Sequence, residues 1–232
     1  MTPALALTAV KKDYRGLRPL RIRDLVVAQG EIVAISGPDP AAAEILTNLV
    51  TGSMLPDEGT VRVFGEDTAA IQDADAWLAG LDRFGIVSDR VALVGAFTLR
   101  QNIALALTME LDPLSDETSA TVALLAHEVG LSPGVLDVAA GLAPALECSR
   151  VRLARAVAPG PRMLLVEHPT ASVPREDVAR LASDFFRVVR HRRLTALIAS
   201  VDRVFVAGAD RRLALDPATG ALRARRLRAW FS

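Results

Sequence analysis

Residues 29–52 read QGEIVAISGPDPAAAEILTNLVTG, and the fold turns on how this stretch is parsed. The apolar run 32–35 predicts a buried strand, 36–39 a tight turn, and 40–51 a helix closed by Gly52. Strand, glycine turn and helix together outline a phosphate-binding loop. Such a loop normally reads G-x-x-x-x-G-K-[ST]: small residues let backbone N–H groups cradle phosphates, the lysine neutralises charge, and the hydroxyl holds magnesium. On that frame Gly37 is followed by Ala42, Ala43 and Glu44, so the second glycine, the lysine and the hydroxyl are replaced. Pro38 and Pro40 remove two more N–H donors.

Helix-end physics suggests what fills the vacated frame. Asp39 before Pro40 is a strong helix start, because the carboxylate can accept the free N–H groups of the first turn and proline at the first helical position loses nothing. A helix N-terminus carries roughly half a positive charge and favours an anion there. Asp39 would then compete with an incoming phosphate, and Glu44 would add repulsion. A second reading stays open on these residues alone: Asp39 is simply a good cap in an unrelated strand-turn-helix.

A chain of 232 residues, 51% of them hydrophobic, buries a sizeable core and fits one large domain or a core with a smaller insertion. No apolar run approaches the roughly 20 residues that cross a bilayer, and residues 1–10 lack the pattern of a signal peptide, so the expectation is a cytoplasmic protein with no membrane insertion of its own. One cysteine, Cys148, excludes an internal disulfide and any multi-cysteine metal site, and it reads as a small buried apolar residue. With 27 basic and 27 acidic residues, no overall field favours nucleic acid. The only lysines are Lys11 and Lys12, so no lysine can serve the loop after residue 35.

Further strands are predicted at 5–9 and 20–27, flanking a turn that contains Tyr14, and at 60–64, 84–88, 163–166 and 194–199. Helices are predicted at 74–81, 146–158 and 177–190, the last with Val178, Leu181, Ala182, Phe185, Val188 and Val189 on one face. Residues 98–142 read as helices broken by Asp112-Pro113, Gly130 and Pro133-Gly134, with Ser115 capping one that runs to Leu131. A terminal hairpin is expected at 212–215 and 222–226. Strands alternating with helices imply an α/β fold with a mostly parallel sheet, strands 32–35, 163–166 and 194–199 adjacent, and the helical block set apart as a lobe. The basic segments 190–193 and 223–228 read as solvated faces, since no aromatic interleaving accompanies them. Trp230 and Phe231 are candidates for docking on a partner or covering the hairpin.

Taken together, GEIVAISGP, LVTGSMLPDEGTVRVFG, FTLRQNIALAL, RVRLARAV, MLLVEHPTAS and TALIASVDR occur in an order and spacing that resemble the ATP-binding subunit of an ATP-binding cassette (ABC) transporter along nearly the whole chain. The resemblance implies one nucleotide-binding domain over 1–232, of P-loop NTPase type, with an antiparallel β portion near the N-terminus and an inserted helical subdomain at about 93–158. It implies ATP and Mg2+ as ligands, a membrane permease as partner, a homodimer or a heterodimer with another ABC subunit, and a place at the inner face of the cell membrane.

Carried over residue by residue, the resemblance puts the adenine-stacking aromatic at Tyr14 and the magnesium-sensing glutamine at Asp89. The signature L-S-G-G-Q falls on Ala143-Pro144-Ala145-Leu146-Glu147, without the serine and glycines that hold a phosphate. The aspartate that reaches magnesium through water corresponds to Glu167, and the catalytic glutamate to His168, which can accept a proton near neutral pH. The dimer-contact aspartate falls on Pro174 and the switch histidine on Val201, followed by Asp202. The reading is an ABC subunit with lost or severely reduced hydrolysis and weak or absent nucleotide binding. Two alternatives stand beside it: an unconventional ATPase using Glu167 and His168, and a regulatory module needing no nucleotide.

Overall fold

The structure is a computed structural model and describes residues 2–224; the hairpin end at 225–226, most of the basic segment 223–228, and Trp230 and Phe231 lie outside the described residues. In chain order the elements are β1 (Leu5–Lys12), β2 (Leu20–Val27), β3 (Ile32–Ser36), α1 (Pro40–Thr51), β4 (Glu58–Val63), β5 (Glu66–Asp67), α2 (Ala74–Leu81) and β6 (Phe84–Ser88). Then follow α3 (Leu99–Ala104), α4 (Asp116–Glu128), α5 (Ala145–Val157), β7 (Met163–Glu167), α6 (Arg175–His191), β8 (Thr195–Ala199), α7 (Arg203–Ala207), β9 (Arg211–Leu215) and β10 (Leu222–Ala224).

A six-stranded sheet, ordered β10-β9-β3-β8-β7-β6, is parallel except for β10, which pairs antiparallel with β9. The expected adjacency of β3, β8 and β7 is therefore present. A second, antiparallel sheet of order β2-β1-β4-β5 accounts for the β portion expected near the N-terminus.

All five residues of β3 are buried, as they are in β7 and β8, which is why these strands read as continuous apolar runs rather than alternating ones. Side-chain alternation sends Ile32 and Ala34 to one face, where they join Leu164, Val166, Ala196 and Ile198. Val33 and Ile35 point to the other face, with Met163, Leu165 and Leu197, and meet Ile45, Leu46 and Leu49 of α1 and the inner face of the antiparallel sheet. The first cluster also takes in Leu99 and Ile103 of α3, Val122 and Leu125 of α4, and Val151 of α5. Within the helical block α3 and α4 pack on each other and on α5, and α5 carries the cluster on to the parallel sheet.

Local differences from expectation have local causes. The helix capped by Ser115 ends at Glu128, three residues short of Leu131, because the backbone turns at Val129-Gly130 and the Leu131 N–H bonds back to the Ala126 carbonyl at 2.9 Å. In the segment 190–193, Arg190, His191 and Arg193 are exposed, as expected of a solvated face, and its arginines also make specific contacts. Arg190 donates to the Gly208 carbonyl, and Arg192 grips both oxygens of Glu128 at 2.6 Å as well as the Val157 carbonyl at 2.8 Å. These arginines tie α6 to its neighbours. Cys148 is only partly buried, and burial pushes its thiol above the ordinary value.

Candidate functional site: the end of the parallel sheet

The site forms where β3, β6 and β7 end and α1 begins. Gly37, directly after β3, has φ +116°, and a Cβ there would lie 2.6 Å from the Leu215 carbonyl oxygen. Only glycine fits both the dihedral and the approach of β9. The close neighbour of this glycine is the chain's own backbone.

Asp39 then caps α1 as its sequence position implies. Its backbone is extended, and its Oδ1 accepts the Ala42 N–H at 2.8 Å. The Ala43 N–H makes the first intrahelical bond, to the Asp39 carbonyl at 2.9 Å, so of the free first-turn donors the side chain takes that of Ala42. Ala42 and Ala43 are buried, and neither carries a cation. Gly52, left-handed at φ 72°, closes the helix at the far end.

Glu44, a turn into α1, points toward the loop after β6. There Arg90 places Nη1 at 2.9 Å from Glu44 Oε1. The same guanidinium forks onto Glu167 at the end of β7, with Nε to Oε2 at 3.0 Å and Nη2 to Oε1 at 2.8 Å. Ser88 adds a hydroxyl to Glu167 Oε2 at 2.9 Å, and Thr47 lies near enough to favour the charged carboxylate as well. Glu167 is only 5% exposed. Burial by itself would raise its carboxyl, but the hydrogen bonds from Arg90 and Ser88, with nearby Thr47 and the Arg90 charge, outweigh it and hold the group below the usual range. The Glu167 hydrogen bond likewise raises Arg90 against the opposing effect of burial.

Arg90, Ser88 and Thr47 are the site residues that motif matching misses. The available signal was two carboxylates, Glu44 and Glu167, at positions where the family pattern expects a cation between them, together with an arginine next to Asp89. Asp89 itself turns away from this site and pairs with Arg152 of α5 at 3.1 Å. Expected at the magnesium-sensing position, it instead ties the β6 loop to α5, and Arg90 takes the inward direction.

His168 follows Glu167 with φ 41°, its N–H bonded to the Ala199 carbonyl at 2.8 Å. Its Nε2 is buried with no hydrogen-bond partner, and no hydrogen bond joins it to Glu167. Tyr14 packs against the core on the α1 side of the sheet. Burial first, and the Asp39 carboxylate second, push its hydroxyl above the ordinary value, which places Tyr14 in the electrostatic neighbourhood of the loop. Pro144 and Ala145 open α5, with no side chain capping the helix there; Glu147 pairs with Arg150 at 3.1 Å. Pro174 opens α6, Val201 is 66% exposed, and Asp202 caps α7 through the Val204 and Phe205 N–H groups.

A magnesium ion in its family place would need open oxygen ligands, because it demands near-octahedral geometry at about 2.0–2.1 Å and keeps several waters. Here the carboxylates at the two matching positions face a guanidinium, and both Glu167 oxygens already accept hydrogen bonds. The residues present do not fit the metal.

Comparison with known proteins bears on the family and the fold. The family model for ABC transporters matches residues 20–171. The phosphonates import ATP-binding protein PhnC of Anaeromyxobacter dehalogenans is 34% identical over 97% of this chain, which spans 47% of that protein, about half its length. The lipoprotein-releasing system ATP-binding protein LolD of the same organism is 33% identical over 74% of this chain and 73% of its own. Among solved structures, cbiO1 from Clostridium perfringens, described as part of the ABC transporter complex cbiONQ, superposes with a TM-score of 0.79 at 18% identity, covering 96% of this chain and 88% of that one. At that identity it speaks for the fold alone, and the fold it speaks for is the ABC cassette. Sequence and structure converge, and the chain belongs to the ABC transporter family as an ATP-binding subunit.

Proposed function

We propose that this chain is the cassette subunit of a transporter, docks on a membrane permease, and has lost or severely reduced magnesium-dependent ATP hydrolysis. The carrying observation is a site filled by its own side chains: Asp39 on the Ala42 N–H at the start of α1, and Arg90 between Glu44 and Glu167. Loss of a phosphate lysine removes a charge-assisted contact of roughly 1.5–3 kcal/mol, and each such loss weakens affinity about tenfold to a hundredfold. The absent N–H donors at Pro38 and Pro40, the anions Asp39 and Glu44, and the missing signature glycines act in the same direction. Tyr14 remains available to stack on an adenine, so the reading allows weak nucleotide binding.

Partnership rests on the relatives. PhnC is named for import and LolD for a releasing system, and cbiO1 is part of a complex. By analogy, this chain pairs with itself or with a second, hydrolytically competent cassette at the cytoplasmic face of a membrane, residues 93–158 acting as its helical subdomain. Among the described residues no helix is long and apolar enough to cross a membrane. Affinity purification from its own cells in mild detergent tests the docking: a co-purifying permease supports it, and a chain that leaves the membrane fraction alone argues against it. Equilibrium titration with Mg-ATP tests the site, and tight binding would count against the reading.

A further inference from the structure

The sequence pattern expects a divalent cation between the start of α1 and the end of β7, and the structure puts a side chain there. All three guanidinium nitrogens of Arg90 are used: Nη1 on Glu44, and Nε and Nη2 on the two oxygens of Glu167, all at 2.8–3.0 Å. A planar fork of this kind is pre-organised for carboxylates and keeps its charge at any working pH. The contact joins residues 77 positions apart, so it cross-links the phosphate-loop helix, the loop after β6 and the strand end of β7. Ser88 completes the arrangement, donating to Glu167 Oε2 and accepting the Arg90 backbone N–H at 3.2 Å.

We propose that Arg90 is a built-in cation that takes the place of the divalent metal, holding the loop helix and the strand end together in a cassette that needs no metal ion. Two carboxylates would repel across this gap without a positive charge between them. In a metal-dependent site that charge arrives with the nucleotide and leaves with it. Here it is covalently part of the chain, so the geometry persists whether or not a ligand is bound. The inference deepens the reading of lost magnesium-dependent hydrolysis and rests on it for the placement of the two carboxylates. Arg90 is a positioning residue in this account: it acts by fixing Glu44 and Glu167.

The test is Mn2+ binding to the nucleotide-free chain, read by electron paramagnetic resonance from the loss of the free-ion signal. The natural protein is expected to take up no Mn2+ at millimolar concentration. Arg90→Ala and the more conservative Arg90→Gln should each bind one ion at least about tenfold more tightly than the natural chain, and adding Glu167→Gln to either should abolish the gain. Arg90→Lys, which keeps the charge, should behave like the natural chain. Mn2+ uptake by the natural protein that Glu44→Gln or Glu167→Gln removes would overturn the proposal. So would a folded Arg90→Gln with no uptake. ATP hydrolysis is scored separately: a natural chain that hydrolyses Mg-ATP in an EDTA-sensitive way yet takes up no Mn2+ by itself defeats the reduced-hydrolysis reading alone, and a natural chain that binds Mn2+ through Glu44 or Glu167 without hydrolysing ATP defeats the built-in cation alone.

Discussion

Replacing Asp39 separates its two roles, because one substitution removes both the cap and the charge and a second removes only the charge. In the natural chain Oδ1 accepts the Ala42 N–H at 2.8 Å, and losing a cap of this type costs about 0.5–2 kcal/mol. The helix itself survives, since Ile45, Leu46, Leu49 and Val50 stay locked in the core. Asp39→Ala should therefore lower the thermal midpoint by about 1–8 °C for a domain of this size. Asp39→Asn keeps a cap of equal rank and loses only the charge–dipole contribution, so its midpoint should fall less than that of Asp39→Ala. Both variants remove an anion from a helix N-terminus, where a charge is worth about 0.3–2 kcal/mol. Nucleotide affinity should therefore rise about 2- to 30-fold in both, converted at 1.4 kcal/mol per tenfold. Thermal melts and titration with a fluorescent ATP analogue read the two effects. If affinity falls or stays constant in Asp39→Asn, the carboxylate is not competing with phosphate and the internal-anion argument fails.

Other outcomes follow from other parts of the fold. Gly37→Ala combines a left-handed φ of +116° with a Cβ 2.6 Å from the Leu215 carbonyl oxygen, so it should cost at least about 1–3 kcal/mol and release the β3–β9 edge, seen as faster amide exchange there. The folded pKa of Glu167 is depressed, so its contribution to stability is fully present above the ordinary glutamate value of about 4.3 and is lost as pH falls through the lower folded value. Urea denaturation between neutral and acid pH should show a steeper acid loss for the natural chain than for Glu167→Gln; equal slopes would contradict the Arg90 pairing. Phe185, 1% exposed and with ring centroids 5.2 Å from Phe186 and 5.0 Å from Phe205, should cost about 3–5 kcal/mol on replacement by alanine, read as a lowered urea midpoint.

Much of the fold was written locally. The segments 20–27, 40–51, 74–81 and 84–88 form with the predicted bounds, because each carries its own start, stop and period: Asp39-Pro40 before α1, Asp73 before α2, apolar runs for the strands. The five-residue helix α7 escaped, although Asp202 signals its start, because so short a segment shows no hydrophobic period. Family phrases located Glu44, Asp89 and Glu167 but could not say which way each side chain turns. That choice is settled by partners distant in sequence: Arg152 draws Asp89 toward α5, and Glu44 and Glu167 together draw Arg90 inward. The helical block looked separable because its breakers punctuate the sequence. Its packing on α5 is a tertiary fact that no local pattern carries.

The central claim, a cassette with lost or severely reduced magnesium-dependent hydrolysis, is met most directly by single-turnover hydrolysis of Mg-ATP with the isolated protein in excess, comparing the natural chain with Glu167→Ala and His168→Ala. The account predicts product formation no faster than in the protein-free control, with the three proteins indistinguishable. Turnover by the natural chain at about 1 s⁻¹ or faster, typical of enzymes, and abolished by either substitution, would contradict it and make Glu167 and His168 the working residues of an ATPase.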